Sequence, residues 1–196
     1  ESLVIHKEGY ASWQNISSFA THRPAISTRR CIMPGTVYLV GAGPGASDLI
    51  SLRALRILQH ADVILCDNLL PRTFLEQLGI SFHNKTIIWR GSGAEAMSQS
   101  ELNQIICREA LRGLSVVHLK GGDPLVLGRA GEEIAALSQF NIPWSIIPGI
   151  SSCTAAPAGA DMLLTDRSAS RSFAIFSAVC AGGTLQENYP VLDSLV

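Results

Sequence analysis

Two apolar runs end in clusters of glycine, and that pairing narrows what this 196-residue chain can fold into. Val37-Tyr38-Leu39-Val40 leads into Gly41-Ala42-Gly43-Pro44-Gly45, and Val116-Val117-His118-Leu119 leads through Lys120 into Gly121-Gly122-Asp123-Pro124. Short, continuous apolar runs read as strands buried on both faces, as in parallel sheets. Glycine at a strand exit lets another backbone or a ligand approach where a side chain would block it. Asp123 adds a carboxylate at the second opening, and Pro124 stiffens the exit. Open parallel sheets bind small molecules outside the carboxyl ends of their strands. Either loop alone reads equally well as a tight strand-to-helix turn; two in one chain predict a ligand cleft.

From Gly35 onward, strand-like and helix-like segments alternate. The strand-like runs are Thr36–Val40, Val63–Cys66, Thr86–Trp89, Ser115–Leu119 and Trp144–Ile147. Between them, Leu52, Leu55 and Leu58, and then Leu102, Ile105, Ile106 and Leu111, fall at helical spacing. Ser98-Gln99-Ser100-Glu101 reads as a capping box that starts the second of these helices, and Gly113 reads as its stop. A further helix is predicted over Glu132–Phe140, with Glu132 and Glu133 placed where acidic side chains favour the helix dipole. The resulting fold class is α/β, a mostly parallel sheet with helices on both faces. The expected organisation has an extension over residues 1–34, poorly ordered or a targeting remnant, and an α/β domain over 35–167. Residues 168–196 are expected to hold a polar linker, Ser168–Ser172, and the first strand of a second, incomplete domain at Phe173-Ala174-Ile175-Phe176. The initial Glu and the unclosed C-terminal segment read as marks of a fragment or a processed chain.

Composition excludes several classes. With 15 basic and 16 acidic residues the formal charge is −1, so no basic stripe is available for a nucleic-acid backbone. No segment approaches the ~18 uninterrupted apolar residues of a membrane span. Cys31, Cys66, Cys107, Cys153 and Cys180 are scattered without a CxxC, which fits reduced, packed thiols and a cytoplasmic setting; a plastid is the alternative if the N-terminal arm is a transit remnant. None of His6, His22, His60, His83 and His118 pairs with another histidine or cysteine at metal-ligand spacing, so no metal is expected. His118, inside an apolar strand, reads as a hydrogen-bonded core residue.

Gly41-Ala42-Gly43-Pro44-Gly45-Ala46 also satisfies the G-x-G-x-x-A dinucleotide fingerprint, with Asp67 after the second strand as a ribose-binding acid. An NAD-type oxidoreductase is the corresponding alternative. Against it, Pro44 removes an amide donor, and the first helix starts near Ser51, too late for its N-terminus to hold a pyrophosphate. No Gly-Lys-Ser/Thr follows, so the loop is not a P-loop.

The longer pattern resembles the tetrapyrrole methylases of the siroheme and cobalamin pathways, in particular the uroporphyrinogen-III C-methyltransferases. The matching residues are Val37-Tyr38-Leu39-Val40-Gly41-Ala42-Gly43-Pro44-Gly45, Ala61-Asp62-Val63-Ile64-Leu65-Cys66-Asp67 and Leu119-Lys120-Gly121-Gly122-Asp123-Pro124. Gly128-Arg129, Gly131-Glu132-Glu133, Pro148-Gly149-Ile150-Ser151-Ser152 and Leu164-Thr165-Asp166-Arg167 extend the likeness over roughly residues 35–180. The resemblance implies an S-adenosyl-L-methionine-dependent enzyme, homodimeric, with two α/β domains and a cleft between them. It places Pro44, Val126, Ser151, Ser152 and the backbone of Gly121, Gly122 and Asp123 at the methyl donor. It implies Asp67 as the proton acceptor; read from its neighbours alone, Asp67 serves equally well as a cap of the turn Asp67-Asn68-Leu69-Leu70-Pro71.

Arg90 aligns with the family's proton-donor lysine, Asn68 with a usual arginine and Glu95 with a usual histidine. Arginine keeps a cation for a substrate carboxylate but is a poor proton donor. Arg129 either orders its loop or meets a substrate carboxylate. The family completes its donor pocket from the second domain, including a methionine after a strand, which is expected beyond Val196. The expected reaction is methylation of uroporphyrinogen-III to precorrin-2. The three changed positions leave room for methylation of a later corrin intermediate, and a chain that stops short of the second domain also reads as a non-catalytic remnant.

Overall fold

The five strand-like runs between Thr36 and Ile147 find their partners in one sheet. The computed structural model describes residues 33–91 and 96–177. The strands are β1 (Val37–Gly41), β2 (Val63–Cys66), β3 (Thr86–Trp89), β4 (Val116–Lys120) and β5 (Trp144–Ile147). They form a five-stranded sheet in the order β3-β2-β4-β1-β5, with every pairing parallel. Central β4 is buried at every position, whereas the edge strand β3 exposes Thr86. β1 and β4 each run one residue further than their apolar runs suggest. The ladder continues through the Gly41–Lys120 pair, and hydrogen bonding across the ladder ignores side-chain polarity.

The helices are α1 (Leu52–His60), α2 (Phe74–Gln77), α3 (Gln99–Leu111), α4 (Ala130–Gln139) and α5 (Ser152–Gly159). Ser51 caps α1 by accepting the Ala54 N–H at 3.2 Å. Lys85 closes its far end, donating to the Gln59 and Ala61 carbonyls at 2.8 and 2.7 Å. The Ser98–Glu101 capping box that starts α3 is complete in both directions. Beyond its end, Gly113 takes a φ of +87° and donates to the Ala110 carbonyl.

Two cores flank the sheet, following the strand period of two. On one face Ala54 and Leu58 of α1 and Phe74 and Leu75 of α2 pack on Val40, Ile64, Val117 and Leu119. On the other, Leu102, Ile106 and Ala110 of α3 and Leu137 of α4 pack on Val37, Leu39, Val63, Leu65 and Val116. Each fully buried Leu or Phe contributes about 1.5–3 kcal/mol. β1 therefore leads to a helix on one face and its neighbour β4 to a helix on the other. Loops that part in this way leave a crevice at the strand ends.

One expectation is corrected. Phe173-Ala174-Ile175-Phe176, expected as the first strand of a second domain, carries no regular secondary structure. β-forming side chains make a strand only where a ladder receives them; here Ile175 and Phe176 line the cavity and Phe173 is exposed. The proposed extension up to Ile32, Glu95, and the segment from residue 178 with Cys180 lie outside the described residues.

Candidate functional site

The crevice is built by backbone meeting backbone. The exits of β1 and β4 pair directly: Gly43 N–H donates to Gly122 O at 3.2 Å, and Gly122 N–H donates to Gly43 O at 2.8 Å. A Cβ on Gly41 would stand 2.6 Å from both Gly122 O and Gly149 N, so only glycine lets the three exits converge. Gly122 itself takes a φ of +66°. Asp123 locks this junction. Its Oδ2 accepts the Gly149 N–H at 3.0 Å, tying β4 to β5, and its Oδ1 accepts the Leu125 N–H at 2.7 Å. The carboxylate expected at the cleft mouth is thus a scaffold within the protein.

Pro44, Asp67, Arg90, Gly121, Gly122, Asp123, Val126, Ser151 and Ser152 line one cavity of about 630 Å³. These nine are the catalytic and donor-site residues that the sequence and its family resemblance singled out, whereas Asn68 is not among the residues lining the cavity. Ser151 is the N-cap of α5, its Oγ accepting the Cys153 N–H at 3.4 Å. Asp67 and Arg90 come from adjacent strand ends. Asp67 N–H donates to Leu119 O, and Arg90 N–H to Cys66 O, at 2.9 and 3.0 Å. Arg90 Nη1 stands 4.0 Å from Asp67 Oδ1, and Arg90 Nε is held by the Met97 carbonyl at 3.1 Å. Asp67 Oδ1 also accepts the Asn68 N–H at 2.8 Å, so the residue caps its turn and faces the cavity at once.

Other features of the site were not anticipated. Leu69 and Leu127 give the cavity apolar walls, and Ile175 and Phe176 close one side. Leucine in a loop carries no signal that separates a cleft wall from an idle surface residue. Leu127 and Arg129 both have φ near +55°, a left-handed backbone that costs a non-glycine residue about 1–2 kcal/mol. Arg129 grips Glu132 through two bonds of 2.6 and 2.7 Å, ordering the end of the loop.

Behind the loop lies a buried polar cluster. Glu133 Oε1 accepts Lys120 Nζ at 2.5 Å and Gln99 Nε2 at 3.1 Å, and His118 Nδ1 lies 3.1 Å from Glu133 Oε2. Burial alone would raise the Glu133 carboxyl; contact with His118 and the Lys120 ammonium outweighs it and holds the group below its usual range. Burial depresses His118 and keeps its imidazole neutral. Burial also pushes the Cys66 thiol, next to Asp67, up to about 12, which leaves it a packing group. Among the described residues no group of three or more His, Cys, Asp or Glu is placed to hold a metal ion. No helix among them is long and apolar enough to cross a membrane.

Comparison with known proteins agrees with this architecture. The family model described as Tetrapyrrole (Corrin/Porphyrin) Methylases matches residues 36–194. A uroporphyrinogen-III C-methyltransferase of Methanocaldococcus jannaschii is 41% identical over 145 residues, covering 73% of this chain and 59% of that protein. A siroheme synthase of Nitrosomonas europaea is 37% identical over 160 residues, covering 81% of this chain and 33% of that protein. Among solved structures, the uroporphyrin-III C-methyltransferase of Thermus thermophilus complexed with S-adenyl homocysteine superposes with a TM-score of 0.63. It is 35% identical, covering 78% of this chain and 60% of that one. The chain therefore belongs to the tetrapyrrole methylase family. It spans less than two thirds of the length of these relatives.

Proposed function

We propose that the protein is an S-adenosyl-L-methionine-dependent C-methyltransferase that converts uroporphyrinogen-III to precorrin-2, and that this chain carries its donor-binding loops and its base. The observation that carries the reading is the single cavity in which the paired exits at Gly43 and Gly122 stand beside Asp67. The cavity fits such a donor. Its walls combine glycine backbone at Gly43, Gly45, Gly121 and Gly122 with the apolar side chains of Leu69, Val126 and Leu127, and a Cβ at Gly45 would project into open space. Only a single 3-10 turn, Ser47–Leu49, follows Gly45 directly, and α1 is capped further on at Ser51, so the α-helix does not open within the glycine motif as a dinucleotide site requires. When bound, S-adenosyl-L-methionine supplies an electrophilic methyl group on a sulfonium.

The protein's own groups then have separable tasks. The loop backbones hold the donor and Leu69 and Leu127 exclude water. Asp67, in its ionised form, takes the proton that the tetrapyrrole ring system releases after the new carbon–carbon bond forms. Arg90 holds a cation beside Asp67, suited to a carboxylate of the acceptor rather than to proton donation. The exposed apolar side chains of Met162, Leu163 and Phe173 support a homodimeric, multidomain assembly, which light scattering on the full-length protein tests.

The deciding experiment titrates the full-length protein with S-adenosylhomocysteine and with NAD, then assays methyl transfer to uroporphyrinogen-III and to later corrin intermediates. Binding of S-adenosylhomocysteine with turnover of uroporphyrinogen-III is expected. Binding of NAD alone, or turnover only of a later intermediate, overturns the reading.

A further inference from the structure

One carboxylate grips both ends of the loop that walls the cavity. Lys120 is the last residue of β4, directly before Gly121, and Glu133 lies in the first turn of α4, which starts directly after Arg129. Between them, residues 121–129 supply Gly121, Gly122, Asp123, Val126 and Leu127 to the cavity. Across that loop Lys120 Nζ and Glu133 Oε1 meet at 2.5 Å, with Glu133 1% and Lys120 4% exposed. Gln99 Nε2 joins them from the start of α3 at 3.1 Å, and His118 from β4.

Stability alone does not account for this pair. Desolvation offsets much of the attraction in a buried ion pair, and apolar residues of similar volume often serve as well. The loop itself is under strain, with left-handed backbone at Leu127 and Arg129, so its shape has to be imposed from its ends. Asp123 pins its start to β5. Glu133 is the group that ties that start to the helix that follows.

We propose that Glu133 is a positioning residue for the methyl-donor site: through Lys120 it sets the distance between the end of β4 and the start of α4, and with it the spacing of the loop's donor-facing backbone. The inference rests on the donor-site reading above. It requires that donor affinity follow the tether even when stability does not.

The test compares full-length wild type with Glu133→Asp, Glu133→Gln and the double variant Lys120→Met/Glu133→Gln, reading Tm and the Kd for S-adenosylhomocysteine by calorimetry. Glu133→Asp keeps the charge and shifts it by one methylene; its Kd is expected to rise roughly tenfold, equivalent to about 1.4 kcal/mol of lost donor contact. Glu133→Gln leaves an ammonium buried without its counter-charge and lowers Tm. The double variant removes both charges; its Tm returns toward wild type while its Kd stays raised. In Glu133→Asp, which leaves the cavity-lining Lys120 in place, KM for S-adenosyl-L-methionine rises and kcat at saturating donor holds, because the reacting groups are untouched. Recovery of donor affinity together with Tm in the double variant, or wild-type affinity in Glu133→Asp, overturns the proposal. Failure of the wild type to bind S-adenosylhomocysteine would overturn the donor-site reading instead.

Discussion

Asp67 sits where three kinds of contact meet: a backbone bond to β4, a cap on its own turn and the Arg90 guanidinium. Asp67→Asn preserves the size and the oxygen that caps Asn68 but cannot accept a proton from the acceptor. Turnover by the full-length protein is expected to fall by roughly 10²–10⁴, the usual contribution of a general base, with S-adenosylhomocysteine affinity unchanged. A radiolabelled methyl-transfer assay beside calorimetry separates the two; equal loss of both would mean that Asp67 shapes the donor pocket rather than the chemistry. Arg90→Leu removes the cation that faces the cavity. Its effect is expected in KM for the carboxylated acceptor, with donor binding intact, and an unchanged acceptor KM would exclude carboxylate recognition by Arg90. Gly41→Ala forces a methyl group to within 2.6 Å of Gly122 O and Gly149 N, neither of which is a flexible side chain. A loss of about 1–3 kcal/mol in urea denaturation, of the order seen for overpacked cores, is expected together with loss of donor binding.

At the scale of elements, legibility followed the strength of the local pattern. β2, β3 and β5 stand where their apolar runs place them, and α3 begins at its capping box, because local pattern and tertiary contact ask for the same thing there. Ser98→Ala is accordingly expected to cost about 1 kcal/mol, read as a lower urea midpoint with donor affinity preserved. Among the described residues, two α-helices escaped the reading, as did the 3-10 turn Ser47–Leu49. α2 is a single turn held by Phe74 and Leu75 in the core, too short to show a period. α5 has Pro157 inside it and no buried residue, so no apolar stripe marks it. The segment at Phe173 failed in the opposite sense. Its composition suits a strand, yet it lies along the cavity, where Ile175 and Phe176 form a wall.

For the molecule as a whole, the buried cluster sets an acid limit on stability. His118 is depressed by burial, so between its native value and about 6.5, the ordinary imidazole range, the unfolded chain binds the extra proton. Stability is therefore full above about pH 6.5 and declines as pH falls below it. Glu133, held low in the folded state, acts with the same sign in a more acidic window, its contribution present above the unfolded carboxyl range and lost as pH falls through its native value. His118→Gln is expected to flatten the urea midpoint between about pH 7.5 and about pH 5 relative to wild type; an unchanged slope would remove His118 from the acid response.

By itself, the order of residues determined the parallel α/β fold and the two glycine exits, and through its family resemblance it named nine of the residues that line the cavity. Apolar period, capping chemistry and glycine are local signals that the sheet then respects. Only the tertiary structure decided that the Asp123 carboxylate is consumed by the Gly149 and Leu125 amides, and that Lys120, Glu133, His118 and Gln99 share one buried site. Those partners lie on different elements, and no spacing along the chain encodes which side chains a crossover will bring face to face.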